Sequence, residues 1–440
     1  MQQIPRSTIE KIIAPVHRFI NLEYTGGIVL CCSVLVAIIW ANSSFADAYH
    51  HLWEINFSVG FAGFTLNHPL HIWINDGLMA LFFFVIGLEL KREFMDGELS
   101  TLQKASLPMM AALGGMLVPA LIYWFMNRGT TASHGWGIPM ATDIAFALAL
   151  LSMAGKHIPP SVKVFLSALA VADDLGAVLV IAFFYTENLN FIPLAFAAGL
   201  LVILFAGNRL GIRAVAFYLI IGLGVWAGFL LSGVHATIAG VLVAFTIPAV
   251  RKIDEKLFSS NLRRLSDEFE KDIPQSGTFT TAHQHHTIEE VKTLALAAET
   301  PLQKIEHALH PWVAFLIMPL FALANAGIII GSDFFTAIQN PVSFGVILGL
   351  IVGKFVGVLV FTWLMVASGL SRLPENAEWK HITGLALLAG VGFTMSLFIS
   401  NLAFQEPVYI EQAKYGILLA SIIAGTLGLT MLKLTAKSKT

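Results

Sequence analysis

Two adjacent acids, Asp173 and Asp174, sit inside a run that is otherwise apolar from about Val162 to Phe184. That run is long enough to cross a bilayer. One acid at the centre of a membrane helix costs roughly 2.5–3.5 kcal/mol on insertion scales. Two together are not there for stability. They mark a buried ionic partner, an ion path or catalysis, and the rest of the chain has to be read for their companions.

The chain around them is a membrane chain. Of 440 residues 56% are hydrophobic and 12% charged, against about 25% charged in soluble domains. Apolar runs recur at about 24–41, 70–90, 106–126, 135–154, 161–185, 190–208, 213–231, 234–250, 311–331, 343–367, 382–402 and 409–432. They predict an all-α polytopic protein of about twelve spans. Glycine and proline interrupt the runs at 135–154 and 382–402. Lys and Arg fall in alternate connections: Arg6, Lys11 and Arg18; Lys91, Arg92 and Lys104; Lys156 and Lys163; Arg209 and Arg213; a basic group from Arg251 to Lys304; Arg372 and Lys380; Lys433, Lys437 and Lys439. The opposite connections hold only Arg128 and Lys414. The positive-inside bias therefore expects both termini, 1–23 and 433–440, in the cytoplasm. The N-terminus has no signal-peptide pattern. The cysteines, Cys31 and Cys32, are adjacent in the first apolar run and are expected to be buried packing residues, with no metal-ligand spacing around them.

Two hydrophilic segments interrupt the transmembrane blocks 24–250 and 310–432. In the first external loop, alternation around glycines at about 50–67 predicts a β-hairpin, with an edge open to pairing between protomers. The stretch 251–309 is charged and polar and is expected to be a partly disordered cytoplasmic insert. Its His283, His285 and His286 read as solvated loop residues rather than metal ligands. The insert ends in a helical pattern that places Glu306 and His310, four apart, on one face.

Depth supplies the companions of the acid pair. Asp143 lies about 12 residues before the turn near Pro159, and Asp173 about 13 after it, so both are roughly 18–20 Å into the membrane. Lys354 is about 12 residues into its own span, at roughly the same depth. Three acids and one base at one level are tolerable only in a shared pocket. Successive helical residues point about 100° apart, so one of Asp173 and Asp174 faces Asp143 across a cavity and the other turns toward Lys354. Oxygen ligands suit a hard cation, and like charges in a low-dielectric cavity cannot all ionise. Such a site takes a monovalent cation or protons, and competition for it couples their movements. The two interrupted runs are the second members of the triplets 106–185 and 343–432. That placement predicts inverted-topology repeats with two discontinuous helices crossing at the site.

The chain resembles the NhaA-type sodium/proton antiporters over nearly its whole length. The resemblance rests on Ile74-Asn75-Asp76-Gly77-Leu78-Met79, Gly87-Leu88-Glu89-Leu90-Lys91-Arg92-Glu93, Ala141-Thr142-Asp143-Ile144-Ala145-Phe146, Ala172-Asp173-Asp174-Leu175-Gly176, Ser232-Gly233-Val234-His235-Ala236-Thr237, His310-Pro311-Trp312-Val313, Ala324-Asn325-Ala326-Gly327 and Gly353-Lys354. That family is itself a standing example of inverted-repeat architecture. The resemblance implies a secondary transporter, not an enzyme, in the bacterial inner membrane. It implies exchange of two protons inward for one sodium or lithium outward, without a cofactor and without nucleic acid, by a homodimer joined through the external hairpin. It implies Asp173 and Asp174 as the ion- and proton-binding pair, with the two protons carried by two of Asp173, Asp174 and Lys354. It implies Thr142 and Asp143 as the break that offsets facing helix dipoles, and Lys354 as the partner of the first aspartate. Glu89, Glu306, His307, His310 and His235 match positions of pH response. The insert is tens of residues longer than in the best-known members, next to the pH cluster.

Other classes fit less well. An intramembrane aspartyl protease also needs two membrane aspartates, but no Gly-x-Gly-Asp pattern occurs. A sodium-coupled organic-solute symporter of related fold would need a roomier cavity than one crowded by three acids and Lys354. In a passive channel, a charge trap at the midplane would slow conduction.

Overall fold

The computed structural model describes residues 25–61, 64–155, 158–186, 189–271, 280–331, 336 and 338–437. The expected N-terminal segment, Lys156 and the last three residues lie outside them. The first apolar run forms α1 (Thr25–Ala41), and a sharp bend of 114° leads into the amphipathic α2 (Ala46–Glu54). Cys31 and Cys32 are exposed on α1, which corrects the expectation of burial. A helix apolar on all sides buries only the face that packs, here Gly27, Leu30, Val34, Ala37 and Ala41. Its other face, with Leu35 and Ile39, is open to lipid.

The expected hairpin forms a two-stranded sheet. β1 (Asn56–Phe61) and β2 (Phe64–Pro69) pair antiparallel, Ser58 opposite Asn67 and Val59 opposite Leu66. It leads directly into α3 (Leu70–Asp96), a long span containing a π-helical turn at Trp73–Leu78. Trp73 Nε1 donates to Phe57 O at 2.9 Å and ties the hairpin to the span.

The next elements hold the site. α4 (Leu102–Asn127) starts at a Thr101 cap. The run expected to be interrupted is a 3-10 segment, Thr131–Met140, then an extended stretch, then α5 (Ile144–Met153), bent by 40°. α6 (Pro160–Phe184) carries the acid pair and begins at Pro159-Pro160, where the missing N–H costs nothing. α7 (Phe191–Arg209) and α8 (Val215–Ser232) follow. Gly233, at φ 82°, turns the chain into α9 (Ala236–Thr246), shorter than the expected run 234–250.

The insert is more ordered than its composition predicts. It contains α10 (Glu255–Lys271) and α11 (Ala282–Ala298), packed on each other. Arg264 pairs with Glu268 on α10 and reaches Glu290 on α11, while Leu265 is buried between them. Thr281 and Gln284 form a capping box at the start of α11. Residues 272–279 lie outside the described set.

The second half repeats the order of the first: a long helix, a broken pair, a long helix. After α12 (Pro301–Asn325) come α13 (Pro341–Ala367), α14 (Trp379–Leu388) and α15 (Phe393–Ala403), the last two bent by 44°, then α16 (Pro407–Lys437). Among the described residues, eight helices are long and apolar enough to cross a membrane, or eleven if each bent pair is one span. The expected twelfth run is the eleven-residue α9.

Candidate functional site

Each break exposes backbone groups that lipid cannot satisfy. The two breaks satisfy each other. Asp143 N–H donates to Val391 O at 2.7 Å, and Thr142 Oγ1 donates to Ala389 O at 3.0 Å. Ser396 Oγ donates to Ile138 O at 2.8 Å. The expected crossing of the two discontinuous spans is thus a set of named hydrogen bonds between residues about 250 apart in sequence.

Two helix N-termini, those of α5 and α15, meet at this crossing, and one side chain serves both. Asp143 Oδ1 accepts from Phe146 N–H at 3.1 Å, as the N-cap of α5. Its Oδ2 accepts from Thr394 N–H at 3.0 Å and from Thr394 Oγ1. An anion between two positive dipole ends is well placed. Both oxygens of Asp143 are therefore engaged. Sequence reasoning noticed Thr394 only as part of an interrupted run. Its place opposite Thr142-Asp143 in the second triplet was the available signal.

Asp173 and Asp174 are fully buried at the middle of α6, as is Lys354 on α13. Lys354 Nζ pairs with Asp173 Oδ2 and donates to Thr142 Oγ1 at 2.9 Å. Thr142 thereby relays the break to the pair, because its hydroxyl accepts from the ammonium and donates to Ala389 O. α13 reaches this position because α4 and α13 pack backbone to backbone. A Cβ on Gly357 would fall inside the Gly114 carbonyl group, and one on Gly353 would meet Pro119. A π-helical turn, Gly349–Gly353, immediately precedes Lys354 and re-aims the side chain that follows it.

Asp174 differs from both neighbours. Neither of its carboxylate oxygens has a hydrogen-bond partner among the described residues, although both are buried. Asp173, Asp143 and Glu89 all act on it electrostatically. Helix geometry predicted one acid toward Lys354 and one toward Asp143, and Asp173 is the one that meets the lysine.

The residues matched to pH response fall into two places. Arg92 on α3 pairs with Glu306 on α12 and approaches Glu93 at 3.4 Å. Glu306 is buried, Glu89 half-buried one turn away, and His307 and His310 are exposed. A cavity of about 470 Å³ joins Arg92, Glu299, Gln303, Glu306, His307 and His310. His235 is elsewhere, at the α8–α9 turn, with Nε2 2.8 Å from Tyr185 O.

The model of a protein family described as Na+/H+ antiporter 1 matches residues 17–432. The chain belongs to this family of Na+/H+ antiporters. The Na+/H+ antiporter NhaA of Oleidesulfovibrio alaskensis is 48% identical over 435 residues, covering 98% of this chain and 96% of that one. That of Koribacter versatilis is 46% identical over 424 residues, 96% of this chain and 92% of that one. NhaA 1 of Psychromonas ingrahamii is 48% identical over 418 residues, 94% and 95% of the two chains. Among solved structures, the sodium proton antiporter MjNhaP1 of Methanocaldococcus jannaschii aligns with a TM-score of 0.44 at 14% identity, covering 97% of this chain and 99% of that one. The antiporter is a multi-pass membrane protein and a secondary transporter rather than an enzyme.

Proposed function

We propose that the antiporter binds Na+ or Li+ at Asp173 and Asp174 and exchanges it for two protons that occupy the same groups and Lys354 in turn. The observation that carries this is the Asp174 carboxylate, fully buried with neither oxygen hydrogen-bonded among the described residues, beside the Asp173–Lys354 pair. An ionised carboxylate in that environment requires a counter-ion, and a neutral one requires a proton. A hard monovalent cation and H+ satisfy the same requirement and exclude each other. A cation shared by both carboxylates takes the place of the Lys354 ammonium at Asp173. Asp143 stays outside this exchange, since both its oxygens serve the two helix ends. Two protons against one sodium ion move one net charge inward, so the membrane potential drives extrusion.

The Arg92–Glu306 pair shares its cavity with His307 and His310, so carboxylate, guanidinium and imidazole side chains of α3 and α12 meet there. They form the pH-response cluster of this reading, with Glu89 adjacent and His235 as a separate contributor at the other end of the bundle. The setting is the bacterial inner membrane, with both termini cytoplasmic and two protomers joined through the hairpin.

Everted membrane vesicles test the reading. After a respiratory pH gradient is established, NaCl or LiCl should collapse it, increasingly as the pH is raised across about 6.5 to 8.5. Asp173→Asn and Asp174→Asn should each abolish the response. No sodium response at any pH refutes this assignment of transport, and wild-type exchange by either variant refutes the site. Collapse on adding a bile acid would favour the solute symporter instead.

A further inference from the structure

A cavity of about 670 Å³ lies between the first turns of α4 and α6 and the connection from α13 to α14. We propose that it holds the headgroup of a phospholipid bearing a primary ammonium. Glu98, Lys104, Ser161, Ser371, Arg372 and Glu375 line it. Among the described residues, no ion pair joins either cation to either acid or to any other group. Two unpaired cations and two unpaired acids around one cavity are complementary to a ligand that carries both signs.

The anionic half of that ligand has a prepared place. α4 and α6 both begin at the cavity, and α6 has no side-chain cap at Pro159. Helix starts present free N–H groups and a positive dipole end to a phosphate. Lys104, Arg372 and the Ser371 hydroxyl add donors of the kind phosphate oxygens accept, while the Ser161 hydroxyl donates to Glu375 O and ties α6 to the α13–α14 connection. Glu98 and Glu375 then face the other half. A primary ammonium donates three hydrogen bonds to such carboxylates, which a trimethylammonium group cannot do.

The surroundings favour a lipid over free phosphate. Apolar side chains border the polar groups: Val164 is 45% exposed and Leu370 70%. These are first-turn and connection residues of membrane helices, at the level where headgroups meet acyl chains. The inner wall is closed by Leu107, Phe165 and Ala168, all buried, so the cavity is a headgroup niche and not a second ion route.

The test measures thermal unfolding of delipidated full-length antiporter in detergent, with phosphatidylethanolamine, phosphatidylcholine, phosphatidylglycerol or inorganic phosphate added. The ethanolamine lipid should raise the midpoint most. In K104A/R372A the response to it should weaken by about tenfold or more in apparent affinity. In E98Q/E375Q the response to phosphatidylglycerol should remain and the preference for ethanolamine should vanish. Each variant's lipid-free midpoint is its own baseline, so a less stable variant still reports. Equal stabilisation of wild type by inorganic phosphate would assign the site to the free anion. An unchanged ethanolamine response in K104A/R372A would overturn the proposal outright.

Discussion

Asp143, Asp173 and Asp174 are chemically identical and comparably buried, yet their surroundings separate them. Asp143 accepts from two backbone N–H groups and a hydroxyl, Asp173 from Lys354, and Asp174 from no described residue. The ordering follows from where each carboxylate meets a helix end or a cation. It makes Lys354 the residue whose loss is most costly to the folded state. Lys354→Ala should destabilise the protein by up to about 3–5 kcal/mol, because it strands a buried acid. Asp173→Asn combined with Lys354→Ala should recover much of that loss, since no ion is then unpaired. Thermal unfolding of the two variants in detergent checks this. A double variant as unstable as the single one would mean the pair is not the cause. The acids and the lysine were legible in the sequence because charge is conspicuous in apolar runs. The unpartnered state of Asp174 was not, because hydrogen bonding depends on neighbours from α5, α13 and α15.

Among elements, the broken spans show what local pattern conveys. Gly135, Gly137 and Pro139 on one side, and Gly390 and Gly392 on the other, predicted interruptions, and both occur. What the pattern omitted is how a break survives in lipid: each supplies acceptors for the other's donors, as in Asp143 N–H to Val391 O. The insert teaches the reverse lesson. Its polarity predicted partial disorder, but Arg251–Glu255 and Arg264–Glu268 pairs at four-residue spacing support helix, and α10 packs on α11 with Leu265 buried. The ends of this helical hairpin meet, with Lys252 N–H donating to Ala297 O at 3.1 Å. Joining the chain across that contact costs little loop entropy. Deletion of about residues 256–298 should therefore leave sodium-driven exchange intact in vesicles, with a shifted pH profile, since Glu299 and Gln303 of the neighbouring cavity remain. Complete loss of exchange by a well-expressed deletion would show that the insert is needed for transport itself.

For the molecule as a whole, the hairpin presents apolar side chains at its surface. Phe57 is 52% exposed and Val59 48%, and a two-stranded sheet leaves both outer edges unpaired. Pairing with a second copy is the dimer contact proposed above. Removing the strands 56–69 should yield monomers by native mass spectrometry while exchange persists. Dimers that persist would assign the contact to another surface. The exposed faces of the long spans are apolar as well, which is why Cys31 and Cys32 lie outside although their run predicted burial. Hydropathy reports the bilayer as readily as a protein core. By itself the sequence determined the membrane class, the order of spans, the two breaks and a level of charge at mid-membrane, because each is written in local composition and spacing. Residue spacing left open which acid of the pair meets Lys354; the tertiary structure has Asp173 there and Asp143 between two helix ends, and it alone leaves both Asp174 oxygens without a partner among the described residues. Those outcomes depend on which backbone groups cross at one point, and segments some 250 residues apart are brought there by packing alone.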